Sequence, residues 1–419
     1  MEQTSPTHRH LCRVCGLLAA LAPLLSSCID YADTTPAVSV AVQLSQPSVF
    51  TTSTALGGHT VTMTGTRSST IATTGSDGTA LFPAIAPDVY TVSASWEVSS
   101  AEYLRCINAT DTASDAGNVT IAGSLLAQPV MSDATMTLAL RPVFQMDIVI
   151  GKVYYAGSKD NNGKLYTTGY YMELFNQSER TVDMGGLYIA FLETESPAQA
   201  YTLANLHEQH NDSVVLAKQI FRVPRHANAM VPAGGSLLLC NSAVDHSAGN
   251  SMEHSLLDAD FEAKDANGRI TNNPAVPALE LVYSCYDAMT TMNFTKAGPC
   301  GVVIFSTGED VTSWPRTYKY PNTATSGRQW VLLPKRCILD GVDILKYKAT
   351  GIDVTTKRLY DDIDATYANI LTASGNTGEV IYRKTARIAD GGRIVLQDTN
   401  NSLEDFQIST TIKPREYDH

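Results

Sequence analysis

Side chains that can bind a metal ion are densest between residues 245 and 262. The segment contains Asp245, His246, His254, Asp258, Asp260 and Glu262. Imidazole nitrogens and carboxylate oxygens are both metal ligands, and oxygen ligands suit Ca²⁺. A calcium loop, however, spaces its ligands closely and regularly around a glycine, whereas these residues are scattered. We therefore favour an acidic surface loop, predict no metal site, and keep Asp245, His246 and His254 as the candidate ligands.

A second polar group follows near the end of the chain. Its residues are Asp398, Thr399, Asn400, Asn401 and Ser402. Their carboxylate, hydroxyl and amide groups could line a ligand site. The same residue types also stabilise turns through their own backbone hydrogen bonds, so a structural turn is the favoured interpretation. Asp398, Asn400 and Asn401 remain the candidate ligand-binding residues.

Five tyrosines lie close together in the sequence, at positions 154, 155, 166, 170 and 171. Exposed rings would offer a stacking surface to a glycan or a catecholate-like ligand, and Tyr166, Tyr170 and Tyr171 are the candidates for that contact. Tyrosines more often pack with the ring inside and the hydroxyl at the margin of a sheet. Packing is therefore the favoured interpretation.

Motifs of the common enzyme classes are missing from the sequence. It has no GxxxxGK[ST], no GxSxG and no HExxH. His207 and His210 form an HxxH, but Asn211 and Asp212 follow at once, and we predict a solvated loop there. The sequence predicts neither an enzyme nor a bound cofactor.

The amino terminus has the anatomy of a signal peptide. Arg9 and Arg13 precede an apolar stretch at 14–25, which is too short to span a bilayer as a helix. The stretch ends in Leu25-Ser26-Ser27-Cys28, which resembles the lipobox of bacterial lipoproteins. The resemblance implies that residues 1–27 are removed, that Cys28 is acylated, and that 28–36 form a tether. The alternative is an ordinary secretory signal with a chance cysteine.

Residues 37–143 are predicted to form a β-sandwich. Alternating apolar residues at 38–44 and 59–65 indicate half-buried strands. Asp77-Gly78 predicts a turn. The apolar residues Leu81, Phe82 and Ile85 predict one edge of the core, and Tyr90 and Val92 predict the strand that follows. This pattern resembles the transthyretin-like or carboxypeptidase-regulatory-like sandwich, a module that generally serves as a spacer or docking unit.

Residues 144–419 are predicted to form a larger all-β domain with insertions. The segment 172–176 (Met-Glu-Leu-Phe-Asn), the segment 182–187 and the strand after Gly234-Gly235 resemble, in order, the marks of a lamin-tail sandwich. Helical periodicity is poor, and only 255–261 and 364–373 favour short helices. All-β is the predicted fold class for the whole chain.

Five cysteines remain after the predicted processing: Cys106, Cys240, Cys285, Cys300 and Cys337. Their spacing does not match paired metal-binding knuckles. Cys285 and Cys300 are the nearest pair for a disulfide, which an oxidising compartment permits. Five buried free thiols is the alternative.

The amino-acid composition of the chain limits which classes of fold and partner are possible. The 419 residues carry a formal net charge of −12 and 44% hydrophobic residues, which excludes a disordered chain. With 30 basic against 42 acidic residues and no basic run, the chain has no electrostatic footprint for nucleic acid.

Taken over its length, the sequence resembles a Bacteroidota family of lipoproteins of unknown function. The resemblance rests on the lipobox, the transthyretin-like module, 171–176, 245–246, 259–262, 330–334 and 396–406. Such proteins tend to be encoded beside TonB-dependent receptors, some of which serve iron or siderophore uptake. The resemblance implies an outer-membrane, surface-exposed lipoprotein that is accessory to such a receptor and binds an iron chelate. The alternative is an adhesive or structural lipoprotein that binds protein or glycan.

Overall fold

The computed structural model describes residues 36–108, 119–195, 201–225, 228–319 and 324–417. The predicted signal peptide, the lipidation site Cys28 and most of the tether lie outside these ranges, so lipidation of Cys28 stays a prediction. In the part of the chain that is described, no helix combines the length and the apolar character needed to cross a membrane.

Two sheets form the amino-terminal part of the described chain. Its elements are β1 (Val38–Ser45), β2 (Thr60–Thr64), β3 (Ser69–Thr73), β4 (Thr79–Ile85), β5 (Asp88–Val98), α1 (Ser100–Cys106), β6 (Val119–Val130), β7 (Ala134–Ala139) and β8 (Arg141–Phe144). Strands β4, β1 and β7 form one sheet, and β3, β2, β5, β6 and β8 form the other. Apolar side chains from both sheets meet in one hydrophobic core, so this part is a β-sandwich.

The predicted strand, turn and strand around residue 78 are confirmed. Gly78 has a φ of +79°, and Oδ1 of Asp77 accepts the backbone N–H of Thr79 at 3.0 Å. Phe82 and Ile85 are buried, but Leu81 is 63% exposed, so its predicted place in the core is wrong. Successive strand residues point to opposite faces, and Leu81 faces outward beside Ala41.

The rest of the chain is also built mainly of strands. They are β9 (Ile148–Tyr154), β10 (Ser158–Lys159), β11 (Leu165–Tyr166), β12 (Tyr171–Asn176), β13 (Val182–Asp183), β14 (Tyr188–Leu192), β15 (Val214–Arg222), β16 (Met230–Val231), β17 (Ser236–Cys240), β18 (Phe261–Glu262), β19 (Glu280–Ser284), β20 (Val302–Phe305), β21 (Arg316–Tyr318), β22 (Gln329–Pro334), β23 (Ile338–Val342), β24 (Lys346–Lys348), β25 (Gly351–Asp353), β26 (Val380–Arg383), β27 (Thr385–Ile388), β28 (Ile394–Leu396) and β29 (Phe406–Ser409). This part also contains the helices α2 (Leu203–His210) and α3 (Ser402–Asp405). Short 3₁₀ turns lie at Ser247–Gly249, Val311–Ser313, Lys335–Cys337, Val354–Thr356 and Asp390–Gly392. The all-β prediction is confirmed.

Two large sheets pack together in this part. One has the order β18-β17-β12-β9-β26-β29, and the other has the order β21-β22-β15-β14-β20-β23, with β19 also paired to β15. The largest hydrophobic core contains side chains of both sheets. A second core covers the outer face of the second sheet and includes residues of α2. Burial on both faces explains why β14 of the second sheet, for example, has no exposed position.

The helices do not lie where the sequence predicted them. No helix forms at 255–261 or 364–373. The buried carboxylate of Asp364 accepts the backbone N–H groups of Thr366, Ser402 and Asp343, and these bonds fix an irregular chain. The predicted loop at His207 and His210 is wrong as well, because it is the end of α2.

Polar contacts connect the amino-terminal sandwich to the larger part. Ser93 and Ser95 both donate to the carboxylate of Glu404, the second at 3.4 Å, and Arg387 pairs with Glu97 at 3.3 Å. Residues Ala37–His419 form one compact unit, although the hydrophobic core of the sandwich uses only residues up to Leu140. The domain boundary near 143 stays a prediction.

All five cysteines that the structure describes are free and buried. Cys285 and Cys300 therefore carry thiols, and the second of the two sequence interpretations matches the structure.

Candidate functional site

Several of the predicted site residues meet at one buried carboxylate, that of Glu253. Its Oε1 accepts hydrogen bonds from the Tyr154 hydroxyl at 2.7 Å and from the Ser158 hydroxyl at 2.5 Å. Within the described ranges its Oε2 has no hydrogen-bond partner, and Nδ1 of His254 lies 3.4 Å from it. Burial raises the pKa of Glu253 above its ordinary value. Sequence reasoning missed Glu253, which belongs to no motif.

Two histidines lie beside this carboxylate. His246 donates from Nε2 to the carbonyl of Ser242 at 2.8 Å, so its Nδ1 accepts the hydroxyl of Tyr166 at 2.6 Å. The His254 ring packs against Tyr154 and Tyr171, with centroid distances of 5.4 and 4.9 Å. Burial lowers the pKa of His254 to about 3. His254 is therefore neutral at physiological pH.

The arrangement around Glu253 is a buried polar cluster and not a ligand cleft. Tyr170 and Tyr171 are buried, and Tyr166 is half-buried. Burial raises the pKa values of all three hydroxyls, so they stay protonated. Within the described ranges, no group of three or more His, Cys, Asp or Glu side chains is placed to hold a metal ion.

The acidic residues predicted near these histidines have other partners. Asp245 is exposed and accepts the N–H and hydroxyl of Ser247 at 3.0 and 2.6 Å, which closes a turn. Asp258 and Asp260 both pair with Arg415, at 3.0 and 2.9 Å. The structure thus brings His246 and His254 together but leaves Asp245 outside the cluster.

Asp398 belongs to a second buried network, centred on Arg383. The guanidinium contacts Asp340 at 2.8 Å, Asp405 at 3.2 Å and Asp398 at 3.4 Å. Burial raises the pKa of Asp398 to about 7, against the stabilising charge of Arg383. Three carboxylates around one guanidinium make this network acidic, and burial raises the pKa of Asp405 as well.

Asn400 and Asn401 hold the turn that follows. Asn400 has a φ of +55°, and its amide donates to the carbonyl of Asp362 at 2.8 Å. Oδ1 of Asn401 accepts the hydroxyl of Thr366 at 2.5 Å. Both side chains therefore bind the protein's own groups.

An open pocket of about 570 Å³ lies elsewhere, where β19 ends and β22 begins. We call it the arginine pocket. It is lined by Arg269, Cys285, Tyr286, Asp287, Ala288, Met289, Gly327 and Arg328. The guanidinium carbon of Arg328 lies 4.4 Å from the ring centroid of Tyr286, close enough for a cation–π contact. This contact holds one cation at the rim of the pocket.

Local hydrogen bonds explain how the chain builds this pocket. The carboxylate of Asp265 accepts the backbone N–H groups of Asn267, Arg269 and Ile270, which fixes the turn that carries Arg269. The side chain of Gln219 donates to the carbonyl of Thr291 at 3.0 Å and fixes the segment after β19. Hydrogen bonds of two buried side chains, Asp265 and Gln219, therefore fix two of the segments that line the pocket.

The arginine pocket is a positively charged site on the surface of an acidic protein. Arg269 and Arg328 are exposed in a chain whose net charge is −12, and Asp287 is the acidic residue of the lining. Guanidinium groups bind carboxylate and similar oxyanions with two parallel N–H donors, and the tyrosine ring adds a stacking surface. Burial raises the pKa of Cys285, so its thiol is not activated as a nucleophile.

The sequence analysis assigned no residue of this pocket to a binding site. Arg269, Tyr286 and Arg328 come from three separate segments, and no spacing or motif connects them. The contact between Arg328 and Tyr286 exists only in the folded chain.

Comparison with known proteins agrees with this architecture. A crystal structure of a DUF4876 family protein from Bacteroides thetaiotaomicron superposes with a TM-score of 0.55 at 19% sequence identity, covering 88% of this chain and 94% of that one. At this identity the likeness concerns the fold. Curated proteins provide no significant sequence match. Residues 232–413 match the family described as "Protein of unknown function (DUF4876)", and both comparisons agree with the resemblance of the sequence to a Bacteroidota family of unknown function.

Proposed function

We propose that this protein is a lipoprotein of the outer membrane, exposed at the cell surface and anchored through Cys28, that binds a ligand as an accessory to a TonB-dependent receptor. The ligand is an iron chelate, and the arginine pocket holds it. The receptor and the lipid anchor come from the family resemblance of the sequence.

The observation that supports ligand binding is the arginine pocket. Its volume of about 570 Å³ falls within the range of roughly 300–1,000 Å³ found for small-molecule sites. Ferric chelates built from carboxylate or catecholate groups carry negative charge. Arg269 and Arg328 offer them guanidinium donors, and Tyr286 adds an aromatic face.

Binding is favoured over catalysis because the titratable groups with strongly shifted pKa values do not line this pocket. His254 and Asp398 have such pKa values, but each lies in a buried network of the protein's own side chains. The lining of the arginine pocket offers charge and shape, which are the properties that binding needs.

A binding experiment tests the ligand. The purified protein is titrated with a series of ferric chelates of different charge, and binding is followed by calorimetry. We expect saturable binding of at least one chelate, with Arg328→Ala weakening it about tenfold or more. Arg67→Ala is the matched control, because Arg67 is an exposed arginine of the amino-terminal sandwich. Failure of every chelate to bind overturns the proposal.

Affinity capture tests the partner and the anchor. The protein is recovered from gently solubilised outer membranes of its own cells, and the material that accompanies it is identified by mass spectrometry. We expect a TonB-dependent receptor in near-equal amount, and we expect Cys28→Ala to release the protein from the membrane fraction. Recovery of glycan or surface-layer components without a receptor supports the adhesive alternative instead.

A further inference from the structure

The amino group of Lys218 is buried, and its strand runs beside one wall of the arginine pocket. Lys218 lies in β15 and is 1% exposed. Its Nζ has no hydrogen-bond partner in the part of the chain that the structure describes. Burial lowers the pKa of Lys218 from its ordinary value. Burial without a partner disfavours the protonated form of a lysine and destabilises a fold, so this arrangement calls for an explanation.

The pairing of two strands places Lys218 next to the pocket. Strands β15 and β19 are antiparallel, with Gln219 opposite Ser284. One step further along, the N–H of Cys285 donates to the carbonyl of Lys218 at 2.8 Å. Opposed residues of an antiparallel pair project their side chains to the same face. Cys285 lines the arginine pocket, so Lys218 lies behind that wall.

Three nearby groups favour the protonated form of Lys218, but none of them is hydrogen-bonded to its amino group. The structure places the thiols of Cys300 and Cys285 and the carboxylate of Glu193 close enough to favour its protonated form. Burial raises the pKa of both thiols, which keeps them neutral. Glu193 already forms a buried ion pair with Arg358. Among the residues that the structure describes, none places a carboxylate in hydrogen-bond contact with Nζ of Lys218.

We propose that Lys218 determines the specificity of the arginine pocket, and that the ligand is a polyanion with two or more carboxylate-type oxyanions. One oxyanion lies over Cys285 at the wall in front of Lys218, and Arg269 and Arg328 hold the others at the rim. This inference rests on the proposed function and names the charge class of its ligand. An anion at that wall favours the protonated form of Lys218, and little water screens the attraction between the two charges.

The test is a titration calorimetry experiment on the full chain with three probes. Ferric citrate and iron-free citrate carry several carboxylates, and a ferric tris(hydroxamate) chelate lacks free carboxylates. The two citrate probes separate a ferric ligand from a plain polycarboxylate. We expect at least one citrate probe to bind about tenfold or more tightly than the hydroxamate chelate.

The variant Lys218→Met tests the residue itself, because methionine keeps the apolar stem and removes the charge. We expect it to weaken citrate binding at least about tenfold, while the ligand-free variant melts no lower than the wild type. Arg67→Ala again serves as the control for loss of one positive charge. If Lys218→Met binds as the wild type does while Arg328→Ala loses binding, the pocket is right and the role of Lys218 is wrong.

Two further outcomes separate this inference from the proposed function. Binding of the hydroxamate chelate without binding of either citrate probe overturns the polyanion class but leaves the proposed function standing. If Lys218→Met does not fold, wild-type titrations in two buffers of different ionisation enthalpy replace it. A ligand anion beside Lys218 restores its proton, so we expect proton uptake on binding, and its absence overturns the inference.

Discussion

The hydroxyl group of Tyr166 lies 2.6 Å from Nδ1 of His246, a residue eighty positions further along the chain. His246 donates from its other nitrogen to the carbonyl of Ser242 at 2.8 Å, so the ring is neutral and both of its nitrogens are satisfied. Burial also lowers the pKa of His246. The contact ties β11 to the segment that carries Glu253 and His254.

Removing the Tyr166 hydroxyl tests this contact. Tyr166→Phe leaves Nδ1 of His246 without a donor, and a buried acceptor without a partner costs about 1–3 kcal/mol. We expect the free energy of unfolding, measured by urea denaturation, to fall by roughly 1 kcal/mol. Tyr347→Phe, at a half-buried tyrosine of β24, is the control. Equal effects of the two substitutions would contradict a specific role for the contact.

The Arg383 network makes stability depend on pH through Asp398. The pKa of Asp398 is about 7 in the folded protein, against an ordinary value of 3.8. Between these two pH values the folded chain binds more protons than the unfolded chain. The stability that Asp398 contributes is therefore full below pH 3.8 and is lost as the pH rises through 7.

Asp398→Asn removes this dependence, because an amide does not titrate. We expect the melting temperature of the variant to rise relative to that of the wild type between about pH 4 and about pH 8, by roughly 1–3 °C. Melting curves at a series of pH values measure the difference, which cancels the titration of groups distant from Arg383; the coupled carboxylate of Asp405 remains. A difference that stays constant with pH would show that Asp398 does not titrate in this range.

The five free thiols provide a check on burial and on lipidation together. Cys106, Cys240, Cys285, Cys300 and Cys337 are all buried, so a thiol reagent should react with none of them quickly in the native protein. After unfolding of the mature protein in denaturant, we expect five thiols per chain, because an acylated Cys28 contributes none. A sixth reactive thiol would argue against the lipid anchor.

The sequence predicts the strands well because their cause is local. Alternation along 38–44 is enough to place Val40 and Val42 inside, and both are fully buried. Leu81 fails because two adjacent apolar residues of a strand cannot face the same core. The helix expected at 364–373 fails because Asp364 binds backbone groups that are distant in sequence.

The candidate site shows the same division between local and distant causes. Residue type alone singles out Tyr166, His246 and His254, and the fold does bring them together. Glu253 and Arg328 are missed because their roles depend on burial and on partners from other segments. A guanidinium stacked on a tyrosine ring leaves no periodic signal in the sequence.

The geometry of Arg328 leads to a prediction about Arg328→Lys, which keeps the positive charge. The planar guanidinium lies 4.4 Å from the Tyr286 ring centroid and offers paired donors to a carboxylate, whereas an ammonium group is a compact point charge. If the charge alone mattered, the variant would bind a ferric chelate as the wild type does. Because stacking and paired donors both contribute, we expect Arg328→Lys to bind the chelate more weakly than the wild type and more tightly than Arg328→Ala. Calorimetry under one salt condition measures the three dissociation constants. Tyr286→Leu should weaken wild-type binding more than it weakens binding by Arg328→Lys, and fully additive effects of the two substitutions would show that the tyrosine does not act through the arginine.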